Sequence, residues 1–469
     1  MLTTKFINLF LQLDRKEKQN LKLWVCSPFA NARVDVQKLF DFVYSKRTIT
    51  AENINRKLAF QFIYPFQPYK EQQLRYVMSF ATVCLEEFMA YDEWKSNKEQ
   101  HQLALINKMN HKNLSKFTAQ EIQKVAQQLT RQKLRNSNFY LQSYQLANEQ
   151  YTLQSKNKRF ENFKLQEVSD YLHFYAISEI LKHACVAISI QQVSGKQFAF
   201  YLVQHCIEVI EKESNFKKIP SVYLYYLCYQ ISTQGNDALF NELYAAIYKY
   251  ENSFNESELK DIFLMAINYC IKEMNIGKNE YSKFAYELYL YALKKNYLLD
   301  NGELSRFTFK NIVFIGVKKL QDYKSVEHFI TQFQHTINEQ YRENTVLFNN
   351  ATLYVAQKNY KPAMQILQTV EFEDVLWNLD AKSMLLRIYF EEKEYEAMLS
   401  LIKSFKLYLY RQYDLGIYKT RYKNMIGFCE KLYKNIGVLK VKKMKLKEDI
   451  LQHKNLPEKD WFLIQVDKL

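Results

Sequence analysis

Ala351-Thr-Leu-Tyr354-Val-Ala-Gln-Lys-Asn-Tyr360-Lys-Pro-Ala363-Met-Gln-Ile-Leu367 is answered 35 residues on by Leu386-Arg-Ile-Tyr389-Phe-Glu-Glu-Lys-Glu-Tyr395-Glu-Ala-Met398-Leu-Ser-Leu-Ile402. Small or apolar residues and a pair of aromatics fall at the same offsets in both copies. Upstream, Phe314, Val317, Tyr323, Val326 and Ile330 repeat the pattern more weakly. The spacing predicts helical hairpins, and a hairpin cannot bury its apolar face alone. Neighbours must stack to complete a shared core. Pro362 fits this register, because the first turn of a helix needs no amide donor.

The rest of the 469-residue chain agrees with that reading. It holds only 8 Gly and 6 Pro, too few to turn many short strands, while 48% hydrophobic and 16% aromatic content rules out wholesale disorder. Apolar residues recur at helical spacing almost throughout. Tyr418, Tyr422, Met425, Ile426, Cys429, Leu432, Tyr433 and Ile436 form one such stripe. Asp14-x-x-Glu17 and Thr118-x-x-Glu121 have capping-box spacing, and Pro28, Pro65, Pro68, Pro220, Gly195, Gly235, Gly277 and Gly302 mark stops. Roughly twenty helices with short connectors are expected. The expected fold is all-α: an α-solenoid of stacked antiparallel helix pairs. Its soft divisions are an N-terminal helical region 1–155, a central region 156–300 and repeats over 301–469. Pro457 to Leu469, with Trp461, Ile464 and Val466, reads as a terminal cap.

The 35-residue recurrence resembles the tetratricopeptide repeat, whose unit is about 34 residues. Beyond it, Ser27-Pro-Phe-Ala-Asn31, Leu74-Arg-Tyr-Val-Met-Ser79, Ile267-Asn-Tyr-Cys-Ile271, Phe309-Lys-Asn-Ile-Val313 and Ser400-Leu-Ile-Lys-Ser-Phe405 resemble, in their shared order, a bacterial family of uncharacterised all-helical proteins. That resemblance spans most of the chain. It implies the architecture and no catalytic or binding residue.

Charge is uneven. Lys+Arg 65 against Asp+Glu 50 gives +15 overall. Residues 403–447 hold 13 basic and 2 acidic side chains, residues 108–164 hold 11 and 3, and residues 371–396 hold 3 and 8. Basic blocks attract nucleic acid, acidic proteins or lipid headgroups, although a solvated helix face is their ordinary meaning. Only 13 of the 65 cations are Arg, so the bidentate fork used on base edges and phosphates is scarce. The cysteines (Cys26, Cys84, Cys185, Cys206, Cys228, Cys270 and Cys429) are odd in number and lack a Cys-x-x-Cys pair. That argues against a disulfide framework or zinc ribbon and for a reducing compartment. Neither a secretory leader nor a membrane span is expected, so the expected location is cytoplasmic.

The glycines exclude much chemistry. The closest pair, Gly427 and Gly437, are ten residues apart. Dinucleotide, phosphate-loop and nucleophile-elbow motifs all need closer spacing. Gly195-Lys196 is followed by Gln197, so it is no nucleotide loop. His183 with Cys185 and His205 with Cys206 could meet only if their helices paired; His328 and His335 read as two turns apart on one helix face. No metal, cofactor or enzymatic activity is expected. The aromatics Phe405, Tyr408, Tyr410, Tyr413, Tyr418 and Tyr422 lie among cations and invite base stacking, but packing between helices is their commoner use. The expected function is a non-enzymatic scaffold that binds a segment of an unidentified, acidic protein partner. The alternative is polyanion or nucleic-acid binding through 403–447 and 108–164. Its candidate residues are Lys403, Lys406, Arg411, Lys419, Arg421, Lys423, Lys440, Lys442, Lys443, Lys445 and Lys447. The lysines of 439–447 alternate with Leu439, Val441, Met444 and Leu446, whose side may close the stack instead.

Overall fold

Asp14 starts its helix as its spacing from Glu17 predicts. Its Oδ1 accepts the Glu17 amide at 2.7 Å while Glu17 Oε2 accepts the Asp14 amide at 2.6 Å. Thr118 does not do the same. It lies inside its helix, buried, and its hydroxyl donates to the Leu114 carbonyl at 3.0 Å. Helix propagation from Ser115 has taken the backbone groups a cap would serve. Pro220, expected as a stop, opens a helix at its first position.

The computed structural model describes residues 1–46, 48–50, 52–156, 164–194, 196–369, 374–412, 415–437, 440–453 and 456–469. The fold is all-α, with 23 α-helices among these residues. The chain divides into two compact units, 1–132 with 137–175, and 133–136 with 176–469. The expected region 156–300 therefore straddles a boundary that falls inside a helix.

The first unit contains α1 (Lys5–Gln12), α2 (Arg15–Cys26), α3 (Val34–Tyr44), α4 (Arg56–Ile63), α5 (Glu71–Ser96), α6 (Lys98–His111), α7 (Ser115–Arg131), α8 (Ser137–Ser155) and the start of α9 (Leu165–Ser194). Helices α1–α5 close around Phe6, Leu21, Leu39, Phe40, Phe60 and Leu85, all at most 1% exposed. Helices α6–α8 share a smaller core of Ile106, Ile122, Val125, Leu129 and Leu146.

The second unit continues through α10 (Val203–Lys212), α11 (Pro220–Gln234), α12 (Asp237–Tyr250), α13 (Glu256–Asn275), α14 (Tyr281–Lys294), α15 (Arg306–Phe314) and α16 (Tyr323–Phe333). It ends with α17 (Glu339–Ala356), α18 (Tyr360–Thr369), α19 (Val375–Glu391), α20 (Tyr395–Arg411), α21 (Ile417–Lys434), α22 (Lys440–Gln452) and α23 (Lys459–Lys468). First helices α15, α17, α19 and α21 pack in a row, and each of α16, α18 and α20 packs on the first helices before and after it. This is the expected stack of helix pairs. The only strands among the described residues are two-residue arms, β1 (Leu299–Asp300) and β2 (Glu303–Leu304), of a hairpin turned at Asn301-Gly302, both at positive φ.

The recurrent positions carry the core. Ala351, Tyr360, Ala363 and Leu367 are buried in one cluster, and Leu386, Met398 and Ile402 in the next. The weaker upstream copy has a physical cause. Its first helix ends in a π-turn, Ile315–Leu320, which widens the backbone where the pattern should continue. Phe314 is accordingly 43% exposed while Val317, Val326 and Ile330 stay buried. In α21 the stripe holds from Tyr422 to Leu432, but Tyr418 and Ile436, at its ends, are exposed. In the closing helix Trp461, Phe462 and Val466 are buried, as a cap requires, whereas Ile464 points outward.

Candidate functional site

Arg306 and Lys310 are four residues apart on α15 and share a face. Tyr341 and Phe348, seven apart on α17, and Trp377 and Asp380, three apart on α19, also share faces, with Asp374 just before the first turn of α19. Packing of the first helices sets these faces side by side. The Arg306 guanidinium lies 4.5 Å from the Tyr341 ring centre and 5.9 Å from that of Trp377, with Asp374 at 3.8 Å. Lys310 Nζ is 2.6 Å from Asp380 Oδ2 and sits over the Phe348 and Trp377 rings at 5.1 and 5.3 Å. From α21, the Tyr422 hydroxyl donates to Asp380 Oδ1 at 2.7 Å. Burial, reinforced by the Asp380 charge, pushes that phenol far above its ordinary pKa, so it stays a donor.

The result is a seam of cations, aromatic rings and carboxylates across four consecutive first helices, α15, α17, α19 and α21. Its charged heads remain partly open, at 25% for Arg306, 23% for Lys310 and 36% for Asp380. Because internal partners fix the rotamers, the seam is pre-organised, and a ligand laid along it would order few side chains.

A second polar cluster fastens the end of the chain. Glu458 lies 3.0 Å from Lys318 Nζ and 3.2 Å from Arg387, which in turn pairs with Glu391 at 3.2 Å. Glu391 also accepts the Trp461 indole N–H at 2.6 Å and the Tyr360 hydroxyl. Burial alone would raise both carboxyls. For Glu391 the hydrogen bonds, and for Glu458 the Lys318 and Arg387 charges, outweigh it and hold both below the usual range. This cluster ties α23 to α19 and to the π-turn.

The basic run 403–447 is largely engaged. Lys406 pairs with Glu430 at 2.6 Å and Lys447 with Asp467 at 2.7 Å, while Lys419 donates to the Gln412 carbonyl at 2.6 Å. Arg421 lies 5.9 Å over the Tyr418 ring. Lys442 and Lys445 line a surface hollow with Glu448 and Asp449, and Lys443 is half-buried. Lys403, Arg411 and Lys423 stand exposed without an ion pair among the described residues. The side chain of Lys440 lies outside the described residues, as do Tyr413, Leu439, the side chain of Val441 and Gly195. Of the run's aromatics, Phe405 and Tyr422 are core and Tyr408 is half-buried, while Tyr410 at 77% and Tyr418 at 43% are exposed. In the other basic stretch, Lys156 donates to the Asn110 carbonyl at 2.7 Å and Lys124 pairs with Glu121; Lys158 and Arg159 lie outside the described residues.

The histidines do not assemble. His183 and His205 are exposed beside Glu179 and Glu208, whereas Cys185 and Cys206 are buried, and burial pushes the Cys185 thiol up to about 12. His335 lies in a short turn after α16, not on the helix that carries His328. Among the described residues no group of three His, Cys, Asp or Glu side chains could hold a metal ion, and no helix is long and apolar enough to cross a membrane. No family profile, curated protein or solved structure matches the chain. The seam escaped the sequence reading because its members lie up to 116 residues apart, from Arg306 to Tyr422, and each looks ordinary alone.

Proposed function

We propose that this protein is a non-enzymatic binding scaffold of tetratricopeptide-like design, and that the face shared by α15, α17, α19 and α21 holds an extended segment of a protein partner. The seam carries this reading. Aromatic floors with pinned charges of both signs, repeated from hairpin to hairpin, suit a peptide laid across the helices, because each repeat adds contact area in one direction. The open Arg306 and Lys310 heads favour acidic side chains near α15, and Asp380 favours a basic or donor group further along. A photo-reactive phenylalanine at Tyr341 should trap a discrete protein in native lysate. The same group at Lys361, exposed on α18, should trap none above background. Equal labelling at both positions, or none at 341, removes the proposal.

The polyanion reading has weaker support, because the run that motivated it spends several of its cations on carboxylates and carbonyls of its own chain.

A further inference from the structure

A cleft of about 640 Å³ opens between α14 and α16 and shares no lining residue with the seam. We propose that it binds a small amphipathic anion: a carboxylate carried on an unbranched apolar chain, one per protein chain. Tyr286, Leu290 and Lys294 follow one another at four-residue intervals on α14, so they form one row. On α16, Lys324 and His328 form a second row, and Phe329 and Phe333 a third. The two helices flank the π-turn, where Gly316 has no side chain: a Cβ there would overlap Val326 and come within 3.2 Å of the Tyr286 ring. The missing side chain lets Tyr286 and Val326 close over the turn.

The walls are apolar. Phe329 is 3% and Tyr286 7% exposed, and Leu290 stands at the mouth at 36%. The Tyr286 hydroxyl is buried without a hydrogen-bond partner among the described residues, so the packing at this point leaves a donor unused. Around the walls stand the exposed Lys294, Lys324 and His328, whose side chains make no hydrogen bond or ion pair among the described residues. Among the described residues no carboxylate lines the cleft. Of the neighbouring acids, Glu287 accepts the Tyr244 hydroxyl at 3.1 Å, Asp322 caps the Ser325 amide at 3.1 Å, and Glu327, exposed on α16, is not among the lining residues.

Volume, apolar walls and a few converging polar groups are the marks of a small-molecule site. Unpaired lysines and the absence of acidic lining select a negative head. The α14 row from Tyr286 to Lys294 runs about 12 Å, the reach of an extended chain of about ten carbons. The charges are lysines, which act as point charges and suit one carboxylate better than a bidentate phosphate.

The test titrates the full chain at pH 7 with decanoate below its micellar concentration, against decyltrimethylammonium of the same chain length. One saturable decanoate per chain is expected, at least tenfold tighter than the cation. Lys294→Glu with Lys324→Glu should lose at least tenfold in decanoate affinity and reverse the preference. Leu290→Asp should weaken both ligands, with helical circular dichroism unchanged in all variants. Binding without saturation, equal affinity for the two headgroups, or unchanged affinity in the lysine variant overturns the proposal. So does saturable binding of an acidic amphipathic peptide with no response to decanoate. Tyr341 does not line the cleft, so cross-linking there and decanoate binding fail separately.

Discussion

Two cationic regions of the second unit differ in what holds their charges. Along the seam and the 403–447 run, Lys310, Lys406 and Lys447 lie 2.6, 2.6 and 2.7 Å from carboxylate oxygens, and Arg306 sits over Tyr341. Around the α14–α16 cleft, Lys294, Lys324 and His328 have no such partner among the described residues, although residues 286–333 carry no unusual density of charge. Charge counted along a chain therefore does not say which cations are held: Lys403, Arg411 and Lys423 of the dense run have no ion pair among the described residues, while Lys406 and Lys447 do. A cation without an internal partner can take its counter-charge from a ligand, whereas a paired one such as Lys310 meets a ligand already held in place.

The contrast can be broken most severely from the engaged side. Trp377→Ala removes the ring beneath Arg306 and Lys310 at a position 3% exposed. It should cost about 3–5 kcal/mol of unfolding free energy in urea melts. A loss below about 1 kcal/mol would mean the seam is not packed as described.

Charge engagement itself is tested by Glu458→Gln, which strips a carboxylate from both Lys318 and Arg387. The cost should be about 1–3 kcal/mol at pH 7. The folded-state pKa of Glu458 is depressed, so its stabilisation is fully present above the unfolded value of about 4.3 and is lost as pH falls through the folded one. Melts of the variant and the parent should therefore converge in acid. A gap that persists there would assign the loss to packing.

On the cleft side, Gly316→Ala should destabilise by about 1–3 kcal/mol through overpacking against Val326 and Tyr286. A neutral or stabilising result would show that the floor yields.

The smallest effect comes from releasing the engaged lysines. Glu430→Gln with Asp467→Asn frees Lys406 and Lys447, which should change stability by about 1 kcal/mol or less. It should also steepen the salt dependence of heparin binding by up to about two in log–log slope. An unchanged slope would show that these lysines were already available, and would restore the polyanion reading.

Much of the architecture was legible because it is written in local, periodic terms. The Asp14–Glu17 cap, the stripe from Tyr422 to Leu432 and the pair of recurrent hairpins each depend on residues a few positions apart, where helix geometry alone decides which side chains meet. Thr118 and Pro220 depart from expectation because the same short signal serves a cap, a helix interior and a first turn. Which of these applies depends on where the preceding segment ends. The upstream repeat was faint because a π-turn interrupts it, and no residue type announces one. His328 and His335 were placed on one helix because the end of α16 at Phe333 carries no stop residue.

The amino acids in order determined that this chain is helical, that its hairpins stack, and that motifs built on closely spaced glycines are absent. All three follow from composition and from contacts within one or two turns. Tertiary structure alone decided which charges are satisfied and which are not. It set Lys310 against Asp380, 70 residues away, and Tyr422 against the same carboxylate, while leaving Lys294 and Lys324 beside an apolar cleft. The reason is physical. Coulombic pairing and desolvation depend on distances of a few ångströms between side chains that packing of separate helices brings together, and nothing in the order of the chain encodes those distances directly.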